Sequence, residues 1–190
     1  MMVRYILLYV EFLINLIKYR KAICFRGFCV IHAFENSKII FVKNPHNKIR
    51  MFSSPLSNML GLPQRCMLVA RYGGIITIEE GVGLSGCVIN SISEIYIGKN
   101  SKIGAGCKII DNDSHPLSYS VRDLPAPQCV GKSKVFIGEG CFLGMNSIIL
   151  KGTVLGKNVV VGAGSVVHGI FPDNCVIAGN PAKVIKYIEE

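Results

Sequence analysis

The sequence contains no Cys-x-x-Cys pair, no clustered Cys/His spacing and no apolar run long enough to span a bilayer. Without clustered ligands, no metal site is expected. The eight cysteines are even in number, but Cys107 and Cys141 recur at one fixed place in a repeat. Small buried thiols account for that better than disulfides do, and a reducing cytoplasm is the expected setting. Acidic residues are also scarce: 12 Asp and Glu face 21 Lys and Arg, for a net charge of +9. Residues 1–50 hold nine of the basic residues against two acidic ones. That excess suits an anionic partner or a membrane surface. No nucleic-acid motif accompanies it, so nucleic acid is not an expected partner. The 190 residues, half of them apolar, make room for one ordinary domain with a real core.

The greasiest stretch is "YILLYVEFLINLIKYRK", Tyr5 to Lys21. Glu11 and Asn15 interrupt it, and it falls short of the roughly 20 residues that a spanning helix needs. It has no clear cleavage site of the secretory kind. Arg4, Glu11, Asn15 and Lys18 follow at steps of seven, four and three, which draws a narrow polar stripe along an otherwise apolar helix. Two readings stand. The helix packs on its own protein or a sister subunit, or it lies on a membrane surface with Lys18, Arg20 and Lys21 on anionic lipid. The second reading gives residues 5–21 a peripheral membrane contact. Residues 1–72 are expected to form this helix and an irregular capping segment, with "FSSPLSNMLGLPQR" as loop.

From Ile137 onward a strict period appears. Ile137, Leu143, Ile149, Leu155, Val161 and Val167 stand six residues apart. Gly138, Gly144, Gly156 and Gly162 follow four of them, and the fifth position is small or Val in Cys141, Ser147, Thr153, Val159 and Ser165. The same grammar runs upstream through Ile97, Ile103 and Ile109, and through Ile78 and Leu84 with one extra residue between the sets. A helix cannot use a strict six, because at about 3.6 residues per turn successive sixes point to different sides. Short strands joined by bends can. Each six forms one flat side with its aliphatic residue inward, and three sides close a coil. Stacked coils form parallel sheets, so the predicted fold is an all-β solenoid. Its open ends need covers, and the N-terminal segment and the C-terminal "AKVIKYIEE" are the candidates.

The segments "IGKNSKIGAGCKIIDNDSHPL", "IGEGCFLGMNSIILKGTVLGKNVVVGAGSVV" and "VIAGNPAKVIK" resemble the hexapeptide-repeat acyltransferases. Within them the likeness is greatest to the maltose, galactoside and nodulation-type O-acetyltransferases and the polysaccharide-cluster enzymes. The resemblance covers roughly residues 73 to 188. It implies a left-handed parallel β-helix, here over 73–180, preceded by an N-terminal helical segment and followed by a short tail, 181–190. It also implies acetyl-coenzyme A as co-substrate, no metal, and a homotrimer whose active sites are shared between neighbouring prisms.

Ile137 follows Ile109 by 28 positions, not a multiple of six. The chain must therefore leave the prism, and residues 115–134, with Pro116, Pro125 and Pro127, form the expected excursion. His115 stands where it begins, in the context "DNDSHP". Acylating a hydroxyl requires a group that takes its proton near neutral pH, and imidazole has about the right pKa. The family uses a histidine at this place as general base, and His115 is the matching residue. His32, His46 and His168 lack that context and are read as structural. Asp113, and less so Asp111, are candidates to orient the imidazole, with solvated loop acids or turn formers as the equal alternative.

The resemblance supplies the remaining candidates. A backbone N–H, here that of Met145, would meet the oxyanion of the tetrahedral intermediate. In "FLGM" Phe142 stands where relatives hold tryptophan and Met145 where they hold serine. Gly104 and Ala163 match positions lining the pantetheine arm, though they must serve as corner residues of the coil in any case. Lys183 and Lys186 match basic residues near the cofactor phosphates, with a solvated basic tail as the alternative. His168-Gly169 stand where relatives often have Thr-Lys. Ser85, Asn90 and Arg122 are acceptor-binding candidates, against a plain role in lining the stack. The expected activity is transfer of acetyl to a sugar hydroxyl, in surface polysaccharide or saccharide metabolism. The rivals are a serine or amino-sugar acetyltransferase, a γ-carbonic-anhydrase-like protein and a non-catalytic β-helix.

Overall fold

The computed structural model describes residues 2–54, 64–122 and 130–189, with only the backbone of 2–5. Pro125, Pro127, Cys129, most of "FSSPLSNMLGLPQR" and the Arg4 side chain lie outside the described residues. The chain begins with one helix, α1, Met2–Tyr19, and continues as short strands that fall into three sheets. Face 1 contains Ile23–Arg26, Ile49–Phe52, Gly83–Ser85, Lys102–Ile103, Phe142–Leu143, Val160–Val161, Cys175–Gly179 and Ala182–Tyr187. Face 2 contains Val30–Ala33, Met67–Ala70, Val88–Ser91, Lys108–Ile110, Ile148–Ile149 and Val166–Val167. Face 3 contains Lys38–Phe41, Ile75–Ile78, Glu94–Ile97, Val135–Ile137, Val154–Leu155 and Ile170–Phe171. Up to Cys175–Gly179 the chain visits the faces in rotation, and from Ile49 on each of these strands pairs in parallel with the one a full coil earlier. This is the expected class, an all-β solenoid: a parallel β-helix with an N-terminal helix.

The six-residue beat reappears as three internal columns. Leu84, Ile103, Leu143, Val161 and Ile177 are in register along face 1. Leu68, Ile89, Ile109, Ile149 and Val167 do the same on face 2, and Ile78, Ile97, Ile137, Leu155 and Phe171 on face 3. All of these side chains are buried. The glycines that follow them are required by close approach. A Cβ on Gly144 would lie 2.6 Å from the Ala163 nitrogen, and one on Gly138 2.3 Å from the Gly156 carbonyl.

The stack starts earlier than the period suggested. Ile23–Arg26, Val30–Ala33 and Lys38–Phe41 already form a complete coil, and residues 22–72, expected as an irregular capping segment, contribute five strands to the stack. The reason is local. Ile31, Met51, Leu68 and Ile76 point inward as the later aliphatics do, but their spacing is not six, so periodicity alone misses them.

Each end carries an added element. α1 lies across the first coil, where Phe12 meets Phe25 and Phe28, and Tyr19 meets Phe41. The Asn15 side-chain amide donates to the Ile31 carbonyl at 3.0 Å, on the first strand of face 2. Ala182–Tyr187 turns back antiparallel on Cys175–Gly179 and forms the last strand of face 1. No described helix is long and apolar enough to cross a membrane.

The described cysteines are free thiols, and all but Cys24 are buried. Burial pushes the Cys107 thiol up and the Cys141 thiol up to about 11. Unfolded, Cys141 would titrate near 9.0. Between these values the folded state holds the proton that the unfolded state releases, so stability falls as pH rises through the window. Urea unfolding from pH 9 to pH 11 is expected to show a loss of roughly 2–3 kcal/mol from this group. Cys141→Ala should flatten that slope.

Candidate functional site

A cleft of about 660 Å³ runs along face 1 and its corner with face 2. Ser85, Gly104, Met145 and Ala163 all line it, with Phe142 and Lys102 beside them. Four sequence-selected residues from four different coils thus share one groove. Gly104, Met145 and Ala163 occupy equivalent corners of successive coils. A Cβ on Gly104 would lie 2.6 Å from the Leu143 carbonyl and 2.8 Å from the Met145 nitrogen, so the backbones touch here. The Met145 carbonyl accepts from the Gly164 N–H at 2.9 Å. Its own N–H meets no acceptor among the described residues. That donor sits in a groove lined largely by apolar atoms, where one hydrogen bond to a developing anion is worth most.

Lys102 carries no motif that marks it in the sequence. It points outward from face 1 into the cleft and donates to the Gly81 carbonyl at 2.7 Å. Burial, and secondarily the Arg50 guanidinium, lower it from the ordinary lysine range. Its position in the hexad marks it as outward-facing, but only the stacking shows which groove it enters. Lys183 and Lys186 are exposed on the last strand of face 1. That strand lies two places beyond Val160–Val161, about 10 Å away at ordinary strand spacing.

The excursion leaves from the other end of face 2. It is pinched at its base: Asn112 and Lys132 form an antiparallel bridge, the Asp113 N–H donates to the Gly131 carbonyl at 3.0 Å, and the Ser133 N–H to the Asp111 carbonyl at 3.0 Å. Ser114 takes a positive φ of 62° and donates its N–H to Asn112 Oδ1 at 2.9 Å. His115 follows, its N–H on the Asp113 carbonyl at 2.7 Å and its side chain exposed. The imidazole has no hydrogen bond among the described residues. Its backbone is therefore held by the neck of the excursion.

The two aspartates do different work. Asp111 is fully buried and accepts four hydrogen bonds: from Ser91 Oγ at 2.6 Å, the Ile92 N–H at 3.0 Å, the Ser93 N–H at 2.9 Å and Asn112 Nδ2 at 2.9 Å. It ties the corner of the preceding coil to the start of the excursion. Asp113 pairs with the Lys151 ammonium rather than with the imidazole. Nothing in the sequence pairs these two, which are 38 positions apart. Arg122 also turns inward on its own loop, donating to the Leu117 carbonyl at 2.8 Å and the Pro116 carbonyl at 3.4 Å. Asn90 lies on face 2 near α1, in a shallow recess with Glu11, His32 and Arg71. Within one chain, then, His115, Asp113, Asn90 and Arg122 are not brought to the cleft. One side of the prism separates them from it, because the cleft follows the corner before Lys108–Ile110 and the excursion follows the corner after it.

Among the described residues, no three His, Cys, Asp or Glu side chains are grouped as a metal ion would require.

With this geometry in hand, the likenesses to known proteins become interpretable. Residues 134–168 match the family described as "Hexapeptide repeat of succinyl-transferase". Over 120 residues the chain is 40% identical to the "Putative lipopolysaccharide biosynthesis O-acetyl transferase WbbJ" of Escherichia coli strain K12, covering 60% of this chain and 61% of that one. The chain thus spans less than two thirds of that relative's length. Among solved structures it is similar to the polysialic acid O-acetyltransferase OatWY, with a TM-score of 0.63, 25% identity and coverage of 88% and 70%. It is similar also to a galactoside acetyltransferase in complex with coenzyme A, with a TM-score of 0.55, 26% identity and coverage of 67% and 60%. The resemblance read from the sequence is borne out.

Replacing Asp111 by Ala would leave the Ile92 and Ser93 N–H groups buried without acceptors. Chemical denaturation is expected to show Asp111→Ala destabilised by roughly 3–5 kcal/mol. Asp113→Ala, at a half-buried site, should cost about 1 kcal/mol or less.

Proposed function

We propose that this hexapeptide-repeat chain is an acetyl-coenzyme-A-dependent O-acetyltransferase that acylates a sugar hydroxyl, in a surface polysaccharide precursor or a small saccharide. The observation that carries the reading is the face 1 cleft, where Gly104, Met145 and Ala163 line one groove and the Met145 N–H meets no acceptor among the described residues. The coenzyme A complex of the similar galactoside acetyltransferase supports this choice of co-substrate.

In this reading the pantetheine arm lies along Gly104 and Ala163, and Lys183 and Lys186 attract the cofactor phosphates. The His115 imidazole takes the proton of the acceptor hydroxyl. The hydroxyl oxygen attacks the thioester carbonyl carbon, and the Met145 N–H donates to the oxyanion that forms. Collapse breaks the carbon–sulfur bond, and the imidazolium returns its proton to the departing thiolate. Ser85 grips the acceptor at the cleft, while Asp113 and Arg122 hold the loop that carries His115.

His115 and the cleft lie at opposite corners of face 2, so one chain cannot complete the site. A homotrimer closes it, because rotation about an axis parallel to the stacking direction brings the His115 corner of one copy to the cleft of the next. The proposed setting is the cytoplasm, at the inner face of the membrane through residues 5–21.

The test is thiol release from acetyl-coenzyme A with a panel of sugars. His115→Ala is expected to lose about 100-fold or more in rate. Equal rates for the two proteins would end the role of that residue. Activity confined to serine or an amino sugar would move the acceptor class. In the same assay, Ala163→Trp, at an exposed corner, should raise the KM for acetyl-coenzyme A at least about tenfold and lower kcat less.

A further inference from the structure

Two members of the polar stripe of α1, Glu11 and Asn15, face the protein, while Lys18 is exposed. Asn15 is buried on the Ile31 carbonyl, and Glu11 pairs with His32 on face 2. Phe12 and Tyr19 lie on the same side, against the first coil. The opposite side is an unbroken apolar face. Ile6, Val10, Leu13, Ile14 and Ile17 fall within about 100° of one another at 100° per residue, and each is 43–73% exposed. A helix that only capped its own solenoid would turn its polar stripe to water.

We infer that this outward face is a seat for an anionic lipid bilayer, with α1 lying in the interfacial plane at the N-terminal end of the solenoid. Two features favour lipid. The first is charge. Lys18, Arg20 and Lys21 are exposed at the C-terminal end of the helix, and residues 1–50 hold nine Lys and Arg against two acids. Of those two acids, Glu11 is engaged with His32, so among the described residues the apolar face meets positive charge at its C-terminal end. The second is area. A helix of 18 residues is about 27 Å long and offers roughly 300 Å² on one side, well short of the roughly 800 Å² per partner in a stable protein interface. A bilayer has no such minimum, since each buried apolar side chain contributes separately. Three chains around an axis parallel to the stacking direction would present three such faces at one end and so bind with avidity. The inference rests on the proposed membrane-side setting, not on the acyl-transfer chemistry.

Flotation with vesicles of phosphatidylcholine containing about one third phosphatidylglycerol tests it. Full-length protein is expected to float with these vesicles, less so with phosphatidylcholine alone, and less in high salt. Ile14→Ser/Ile17→Ser alters side chains that are 57% and 73% exposed, so the fold should persist by circular dichroism. Its vesicle-bound to free ratio should fall about tenfold or more. Arg20→Glu/Lys21→Glu should reduce binding to anionic vesicles alone. Flotation unchanged in Ile14→Ser/Ile17→Ser would overturn the inference. So would a wild-type chain that ignores vesicles but loses oligomeric mass on that double substitution, because the face would then belong to a second copy. Thiol release measured without vesicles should be equal in wild type and both variants. A chain that floats but releases no thiol loses the acyl-transfer reading and keeps this one.

Discussion

Everything in this molecule depends on one packing constraint: each coil can bury its inward aliphatics only against the next coil. A single six-residue side is too short to have a core of its own. Leu143 is buried because Ile103 lies one strand away on one side and Val161 on the other. The parallel ladders keep these columns in register over the whole length, and the resulting prism has little freedom to bend. Rigidity of that kind suits a reaction in which a donor amide and a base must be held in fixed positions.

The same constraint explains where the prism is interrupted. A coil tolerates an insertion only at a corner, where no aliphatic column is broken. The excursion after Ile110 leaves at the corner between faces 2 and 3, and the chain rejoins face 3 at Val135. Asp111 makes this possible, since its buried carboxylate gathers the Ser91–Ser93 corner and the neck of the loop into one network. The coil thus positions the His115 backbone, and among the described residues no hydrogen bond holds its ring. The end of the solenoid obeys the same logic in reverse: the first coil has no predecessor, and α1 supplies the missing apolar cover with Phe12 and Tyr19.

Much of this was legible in advance. The aliphatic columns from Ile97 onward could be read from spacing, because a period of six has no helical solution. The corner glycines followed from the same spacing, and the break at Ile109 marked the excursion and His115. The early coils were not legible, since Ile31, Met51 and Leu68 do the same job at irregular intervals. Asp113 was a candidate partner of His115 on proximity alone, yet its carboxylate is held by Lys151 from a different coil. Arg122, read as a candidate for the acceptor, binds carbonyls of its own loop. Side chains in an excursion answer to neighbours that sequence distance does not reveal.

The sequence by itself determined the coil, its period and the point where it opens, because these depend on local spacing and on the size of the residue at each corner. Only the tertiary structure decided which corners become neighbours. Ser85, Gly104, Met145 and Ala163 share a groove because stacking superimposes residues from separate coils. It also decided that α1 turns Asn15 inward and its aliphatic side outward. A buried amide can be satisfied by the free carbonyl at the edge of the first coil, and that edge exists only once the chain has wound.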